Sequence, residues 1–249
     1  MHEKLVLPRQ SLPSVLADLS AEPGELLTMY VEPASFPGRI NELLSEAPFT
    51  AYAEEVAESA SSEAVVREAE RYGTGAAIFW NGHGSKYIIL PPFPVRMNRV
   101  MIGGVDTSLL LEALEGRHTI GVVLVTWGSY GIGVFDGDHL IKSKVGTGHI
   151  HKEHKKGGWS QKRFASRTEE QRKDFLRRVS NRIEEILGKY TLDYIFFGGN
   201  RLIRQPLWHE CRYLKAYRIP GRVLNIRYAN RETLNNSLSG IMKSVAFTF

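Results

Sequence analysis

The sequence predicts an α/β protein of two parts, a smaller acidic N-terminal domain over residues 1–115 and a basic domain over residues 116–249. Three observations predict it. Apolar, strand-like runs alternate with amphipathic helical stretches along the chain. Charge steps at Gly116: 8 Lys and Arg stand against 16 Asp and Glu before it, a balance of −8, and 24 against 11 from there on, a balance of +13. Finally, a single polar, glycine-rich loop (residues 146–165) separates a hairpin from a long helix in the basic half.

The elements follow in order. Residues 13–19 read as a short helix behind Pro13, and 26–33 (LLTMYVEP) as a buried strand stopped by Pro33. Residues 50–72 place Ala53, Val56, Ala57, Ala60, Ala64 and Ala69 among glutamates, the pattern of one exposed helix with a small-residue face. Residues 75–81 and 85–92 are strands around the turn Gly82-His83-Gly84, and 106–116 a helix with Asp106 as N-cap and Gly116 as stop. In the basic half, 119–128 is continuously apolar, 130–136 follows a Gly-Ser bend, and 139–145 follows Asp136-Gly137, a hairpin signal. Beyond the loop, Ser166 and Glu169 form a capping box for a helix. Phe175, Leu176, Val179, Ile183, Ile186 and Leu187 make its apolar stripe, and Gly188 closes it. A buried strand (192–199), helical material through Tyr213, a strand (223–228) and a last helix (231–245) complete the chain. Three antiparallel strands and then helix–strand–helix–strand–helix is the order of a ribonuclease H-like fold.

With 249 residues, 43% apolar and 24% charged, the composition is that of an ordinary globular protein. No window approaches the ~18 uninterrupted apolar residues of a membrane span. The start, MHEKLVLPRQ, lacks the apolar stretch of a signal peptide, so the expectation is a cytoplasmic protein without a membrane partner. Cys211 is the sole cysteine, which excludes an intramolecular disulfide framework, an all-cysteine zinc site and an iron–sulfur cluster. It reads as a buried structural thiol on a helix. The positive half implies a polyanionic partner.

The loop carries the chemistry. Long loops held between rigid elements are commonly functional. Its tip reads Lys155-Lys156-Gly157-Gly158-Trp159-Ser160-Gln161-Lys162-Arg163. Lysine and arginine suit phosphates. Adjacent glycines admit a close backbone approach where any Cβ would clash. A glutamine amide orients a water without changing its own charge. Together these suit hydrolysis of a nucleic-acid-linked bond in a crowded cavity, with no cofactor.

These residues resemble the archaeal and eukaryotic class-I peptide-chain release factors, whose ribonuclease H-like middle domain presents a Gly-Gly-Gln loop to the peptidyl-transferase centre. The resemblance runs from about Val122 to Phe247, through DGDHL, the loop, SQKRFASRTEEQRKDFLRRV and IFFGGN. It is closer to the branch with Gly-x-x-Gln loops, the peptidyl-tRNA hydrolases of ribosome-associated quality control and their bacterial relatives. Here the motif is Gly158-Trp159-Ser160-Gln161, so Trp159 and Ser160 part the glycines from the glutamine. The acidic half holds no motif like a stop-codon reader, and the chain stops with the middle-domain segment. The resemblance therefore implies rescue of stalled peptidyl-tRNA on large ribosomal subunits. It gives the catalytic set Gln161, Gly157, Gly158 and Ser160. Lys155, Lys156, Trp159, Lys162, Arg163 and Arg167 would contact tRNA and ribosomal RNA.

Two alternatives use the same residues: an endonuclease that removes the tRNA 3′ end, and a non-catalytic RNA-binding module. A metal-dependent nuclease needs clustered carboxylates, and strands 119–145 offer only Asp136 and Asp138 at a turn. His149, His151 and His154 have a spacing compatible with a metal, but no carboxylate triad or cysteine supports them, and the expectation is no metal. Trp127 and Trp208 are expected to pack in the core, whereas Trp159 sits where a partner would cover it.

Overall fold

The computed structural model describes residues 2–46, 52–148, 159–217 and 222–249, with side chains for all of these except 159–165. The chain divides into two compact units. The first holds Met1–Gly116, Pro220–Arg222 and Ser239–Phe249, and the second Arg117–Ile219 and Val223–Leu238. The basic domain therefore does not run unbroken over 116–249: its last eleven residues belong to the first unit.

In the first unit the elements are β1 (Glu3–Leu7), α1 (Leu12–Ala21), β2 (Leu26–Val31), α2 (Ile40–Ser45), α3 (Ala53–Ala60), α4 (Glu63–Tyr72), β3 (Ala76–Asn81), β4 (Lys86–Leu90), β5 (Arg99–Ile102) and α5 (Ser108–Glu115). The final strand of the chain, β11 (Ser244–Thr248), joins them, giving a six-stranded sheet in the order β1-β11-β4-β3-β2-β5. Every pairing in it is antiparallel. All six residues of β2 are buried because the sheet is covered on both faces. Leu27, Met29 and Val31 point to one cluster with residues of α2, α3 and α4, while Leu26 and Tyr30 point to another with Leu12, Leu16, Leu110 and Leu114 of α1 and α5.

Several expectations change here. Residues 52–72 hold two helices, because Ser62 takes an extended backbone (φ −60°, ψ 142°) and occupies the N-cap position of α4, its hydroxyl donating back to the Ser59 carbonyl rather than capping. The Asp106 carboxylate does bind the backbone N–H of Ser108, but Thr107 occupies the N-cap position. The strand at 223–228 is only Val223–Leu224, labelled β10. The last helix, α8 (Arg231–Ile241), ends before residues expected to continue it. Buried Arg222 explains the stop. It donates to the carbonyls of Ile241 and Lys243, lies 4.6 Å over the Tyr72 ring, and so satisfies helix-end carbonyls as the chain turns into β11.

The second unit contains β6 (Thr119–Thr126), β7 (Ser129–Asp136), β8 (His139–Thr147), α6 (Trp159–Leu187), β9 (Tyr194–Gly199), α7 (Arg201–Glu210), a 3-10 turn (Tyr213–Ala216) and β10. Its sheet runs β10-β9-β6-β7-β8. β6, β7 and β8 are antiparallel neighbours, while β9 and β10 join in parallel. That is the ribonuclease H-like arrangement. α6 lays Phe175, Leu176, Val179, Ile183, Ile186 and Leu187 against Val123, Val125, Ile132 and Val134, and each such buried side chain stabilises by about 1.5–3 kcal/mol. Gly121 and Gly133 leave room for the side chains packed on the sheet: a Cβ would meet Leu192 at 2.8 Å and Leu187 of α6 at 3.3 Å in the first case, and Leu140 at 2.9 Å and Leu234 of α8 at 3.1 Å in the second. β8 is an exposed edge guarded by Lys142 and Lys144. Cys211 is fully buried at the end of α7, as a structural thiol should be.

Candidate functional site

The segment that carries the loop leaves the sheet at a defined point. β6 and β7 meet at the turn Trp127-Gly128, where Gly128 has φ +93°, a conformation that favours glycine. β8 returns to the same end, with Thr147 opposite Ser129, and the Gly148 N–H donates to the Gly128 carbonyl at 2.8 Å. Gly146 and Gly148 allow this run to lie flat. A Cβ on Gly146 would sit 2.5 Å from the Tyr130 ring, and one on Gly148 would sit 2.6 Å from the Phe175 ring. The strand thus extends through Thr147, so the loop is shorter than 146–165 at its start.

It is shorter at its end too. The capping box at Ser166 and Glu169 does not begin the helix, because α6 already starts at Trp159. The physical reason is propensity: no glycine or proline stands between Gly158 and Gly188, and Lys, Arg, Gln, Glu and Ala fill the first turns. Trp159, Ser160, Gln161, Lys162 and Arg163 therefore lie on the opening turns of a 29-residue helix. Lys155, Lys156, Gly157, Gly158 and the three histidines 149, 151 and 154 lie outside the described residues. Arg167 is exposed on the same helix.

The helix start has two consequences. The first four N–H groups of an α-helix have no acceptor within it, and Gln161 is its third residue. Its first turn holds no acidic residue but does hold Lys162, with Arg163 next, so the positive end of the helix dipole is reinforced rather than offset. An anion is the natural complement. Arginines missed by the sequence reading lie at the loop base. The Arg172 guanidinium sits 5.0 Å from the Trp127 ring centroid, and Arg178 lies next to Gly148. They lie roughly four and five turns along the helix from Trp159, a spacing that shows its meaning only once the helix start is known.

The hairpin carboxylate is elsewhere. Asp136 pairs with Thr119 at the far end of the sheet, about 23 Å along β6 from Thr126 at ~3.3 Å per residue. There Arg117 donates to it at 2.7 and 2.5 Å, which holds its carboxyl below the usual range. Asp136 is a hairpin anchor and does not reach the loop base. Among the described residues, no three His, Cys, Asp or Glu are grouped to hold a metal.

β9 ends at the loop-bearing edge. Gly199 (φ +112°) brings its backbone against Val125, where a Cβ would lie 2.1 Å from the carbonyl oxygen, and the Asn200 N–H donates to that carbonyl at 3.1 Å. The Asn200 side chain then accepts from the Leu202 N–H at 2.9 Å and caps α7.

Residues 118–242 match the model of a family described as the Actinobacteria/chloroflexi VLRF1 release factor. The chain belongs to that family. VLRF1 membership makes it a release-factor-like protein of translation. Among curated proteins nothing matches. Solved structures similar to this VLRF1 chain include an archaeal translation termination factor, aRF1, at 16% identity over 94% of this chain and 70% of that one, with a TM-score of 0.35. Another, described as an archaeal protein, is 19% identical over 93% and 70% of the two chains, with a TM-score of 0.35. Pelota of Archaeoglobus fulgidus is 9% identical over 96% and 63%, with a TM-score of 0.28. Among the described residues of the VLRF1 chain, no helix is long and apolar enough to cross a membrane.

The packing at Gly148 gives a direct test of the loop base. Gly148→Ala puts a methyl group 2.6 Å from the Phe175 ring, an overpacking expected to cost about 1–3 kcal/mol. Urea unfolding measures it. An unchanged midpoint would mean that the strand end does not pack on Phe175.

Proposed function

We propose that this chain hydrolyses the ester between a nascent peptide and the terminal ribose of tRNA on stalled large ribosomal subunits. The observation that carries this is Gln161 on the opening turn of α6, three residues after Gly158 in sequence, in a chain of a release factor family. Water attacks the ester carbonyl carbon, the bond to the ribose oxygen breaks, and the products are a peptide acid and a tRNA with a free hydroxyl. The Gln161 amide positions the water. Backbone N–H groups of the helix start, lacking helical acceptors, stabilise the oxyanion that develops. Gly157 and Gly158 allow the close approach, Ser160 lies between Trp159 and Gln161, and Lys155, Lys156, Lys162, Arg163 and Arg167 hold RNA phosphates. Most of the acceleration comes from positioning.

The size of the tRNA product tests the bond. Hydrolysis leaves full-length tRNA that accepts an amino acid again. A nuclease leaves shortened tRNA and a peptide still bearing a 3′ fragment, and a binding module gives neither. Full-length tRNA that persists when His149, His151 and His154 are changed to alanine supports the ester reaction; shortened tRNA that vanishes in that variant refutes it.

A second test addresses the loop cations. Binding to large subunits should weaken steeply between 50 and 200 mM salt, and replacing Lys155, Lys156, Lys162 and Arg163 by alanine should weaken it further and flatten the salt dependence by about 0.7–0.9 per lost phosphate contact. Unchanged sedimentation of the variant with subunits would remove the loop as an RNA contact.

A further inference from the structure

The second unit carries a cationic groove that the reaction above does not use. It has a volume of about 710 Å³ and is lined by Arg201, Arg204, Gln205, Trp208, His209 and Lys215. The first five lie on α7 and the sixth on the 3-10 turn that follows. Positions 201, 204, 205 and 208 are spaced i, i+3, i+4 and i+7, one continuous helix face. The opposite face is the anchored one, since Ile203, Leu207 and Cys211 are fully buried in the core of this unit. Trp208 is half-buried against that same core, so its ring is fixed at the groove rather than swinging free.

The composition of this face is unusual for a solvated helix. An exposed helix ordinarily mixes both signs of charge, with i, i+4 pairs that offset one another. Here three permanent cations line the groove and, among the described residues, no carboxylate does. Glu210, the one acidic residue of α7, is nine positions from Arg201 and so falls about half a turn away from it. Arg201 and Arg204 also stand on the first turns of α7, where the helix dipole already disfavours cations. Burial and the neighbouring Arg201 both lower the affinity of Arg204 for its proton, because two guanidinium charges are crowded on one helix face. Phosphate oxygens would relieve that crowding.

We propose that this groove is a second RNA-binding site, in which Arg201, Arg204 and Lys215 hold backbone phosphates of a single-stranded segment and Trp208 stacks on one of its bases. Cations alone would fit any polyanion. The aromatic ring held among them, with a glutamine amide and an imidazole beside it, fits an unpaired base carried between phosphates. The groove stands apart from peptide release: it binds RNA whether or not Gln161 is catalytic. The asparagine cap at Asn200 ties the Arg201 end of the groove to the end of the sheet where β6 turns into β7.

The test uses the full chain and a fluorescein-labelled single-stranded RNA dodecamer, read by anisotropy across a salt series. Arg201 and Lys215 are exposed, so Arg201→Ala/Lys215→Ala should fold normally, verified by its melting curve. It should bind the dodecamer at least about tenfold more weakly, with the salt slope reduced by about 1.4, the value for two lost contacts to a single strand. Trp208→Leu should lose affinity by about five- to a hundredfold with the slope unchanged, and Trp208→Phe should restore it, because stacking needs a ring and not a charge. The loop variant lacking Lys155, Lys156, Lys162 and Arg163 should keep this groove-dependent binding. Affinity and slope unchanged in Arg201→Ala/Lys215→Ala would overturn the proposal. Equal competition by polyglutamate and by RNA would overturn it as well, since it would reduce the groove to an unselective cationic patch. Loss of peptide release in Gln161→Ala with RNA binding intact separates the two sites.

Discussion

Gln161→Ala should lower peptide release from isolated large subunits carrying peptidyl-tRNA by about a hundredfold or more, the range seen when one preorganised group at a developing oxyanion or its nucleophile is removed. Melting temperature and binding to the subunits should stay near those of the wild-type chain. The reason lies in the residue's place in the chain. Gln161 is on the opening turn of a helix whose buried apolar stripe, among the described residues, begins at Phe175, about four turns further on. Alanine favours the helix at least as well as glutamine, so the helix start should persist in the variant. The substitution leaves the backbone N–H groups in place, so a residual rate from the oxyanion contacts and from the RNA should remain. Replacing Gly158 by valine acts differently: it blocks approach at the motif itself and should remove that residual rate too. A Gln161→Ala variant that releases peptide at the wild-type rate would take the glutamine out of the mechanism and leave the loop as a docking element.

The sheet of the second unit was legible in the sequence because its signals are local. The apolar run 119–126, the Asp136-Gly137 turn and the 175–187 stripe each declare themselves within a dozen residues. What was not legible depends on partners distant in sequence. The start of α6 was misplaced because Ser166 and Glu169 have a capping signature, while the unbroken helix-forming run before them is a weaker, additive signal. The shift is significant, since it moves Gln161 from a loop onto a helix start. β1 and β5 were missed for another reason. Their residues are half-exposed edge strands without clean alternation, and only pairing with β11 and β2 makes them strands. Among the candidate site residues, types and motif could be read off the chain, but the Arg172–Trp127 contact and the groove face of α7 required the folded neighbours.

The C-terminal segment shows the same dependence at its strongest, and it predicts the largest loss of stability. Phe247→Ala should destabilise the first unit by about 3–5 kcal/mol. Ser244 and Val245 open the β-favouring sequence SVAFT, yet at the end of an amphipathic stretch these two residues read as its continuation. In the fold they form an interior strand, with Phe247 opposite Lys4 of β1 on one side and Ile88 of β4 on the other. Alternation then puts Val245 and Phe247 into the cluster with Trp80, Ile88 and Leu90, and Ala246 into the cluster with Phe79 and Ile89. Phe247 is fully buried, so its truncation leaves a cavity between residues that the ladder hydrogen bonds keep from collapsing inward. Against a total stability of about 5–15 kcal/mol for a domain, that loss is a large fraction. Urea unfolding followed by the fluorescence of Trp80, which lies in that cluster, should report it, with Phe249→Ala as the milder control because Phe249 is only partly buried. A loss below about 1 kcal/mol would mean that the strand is not held between β1 and β4. Cutting the chain after Lys243 removes the strand altogether, exposing the facing edges of β1 and β4 and leaving Arg222 to bind carbonyls that no longer lead into a sheet. The first unit should then fail to fold, even though the first 116 residues of the chain are intact, because the strand that joins β1 to β4 comes from the end of the sequence.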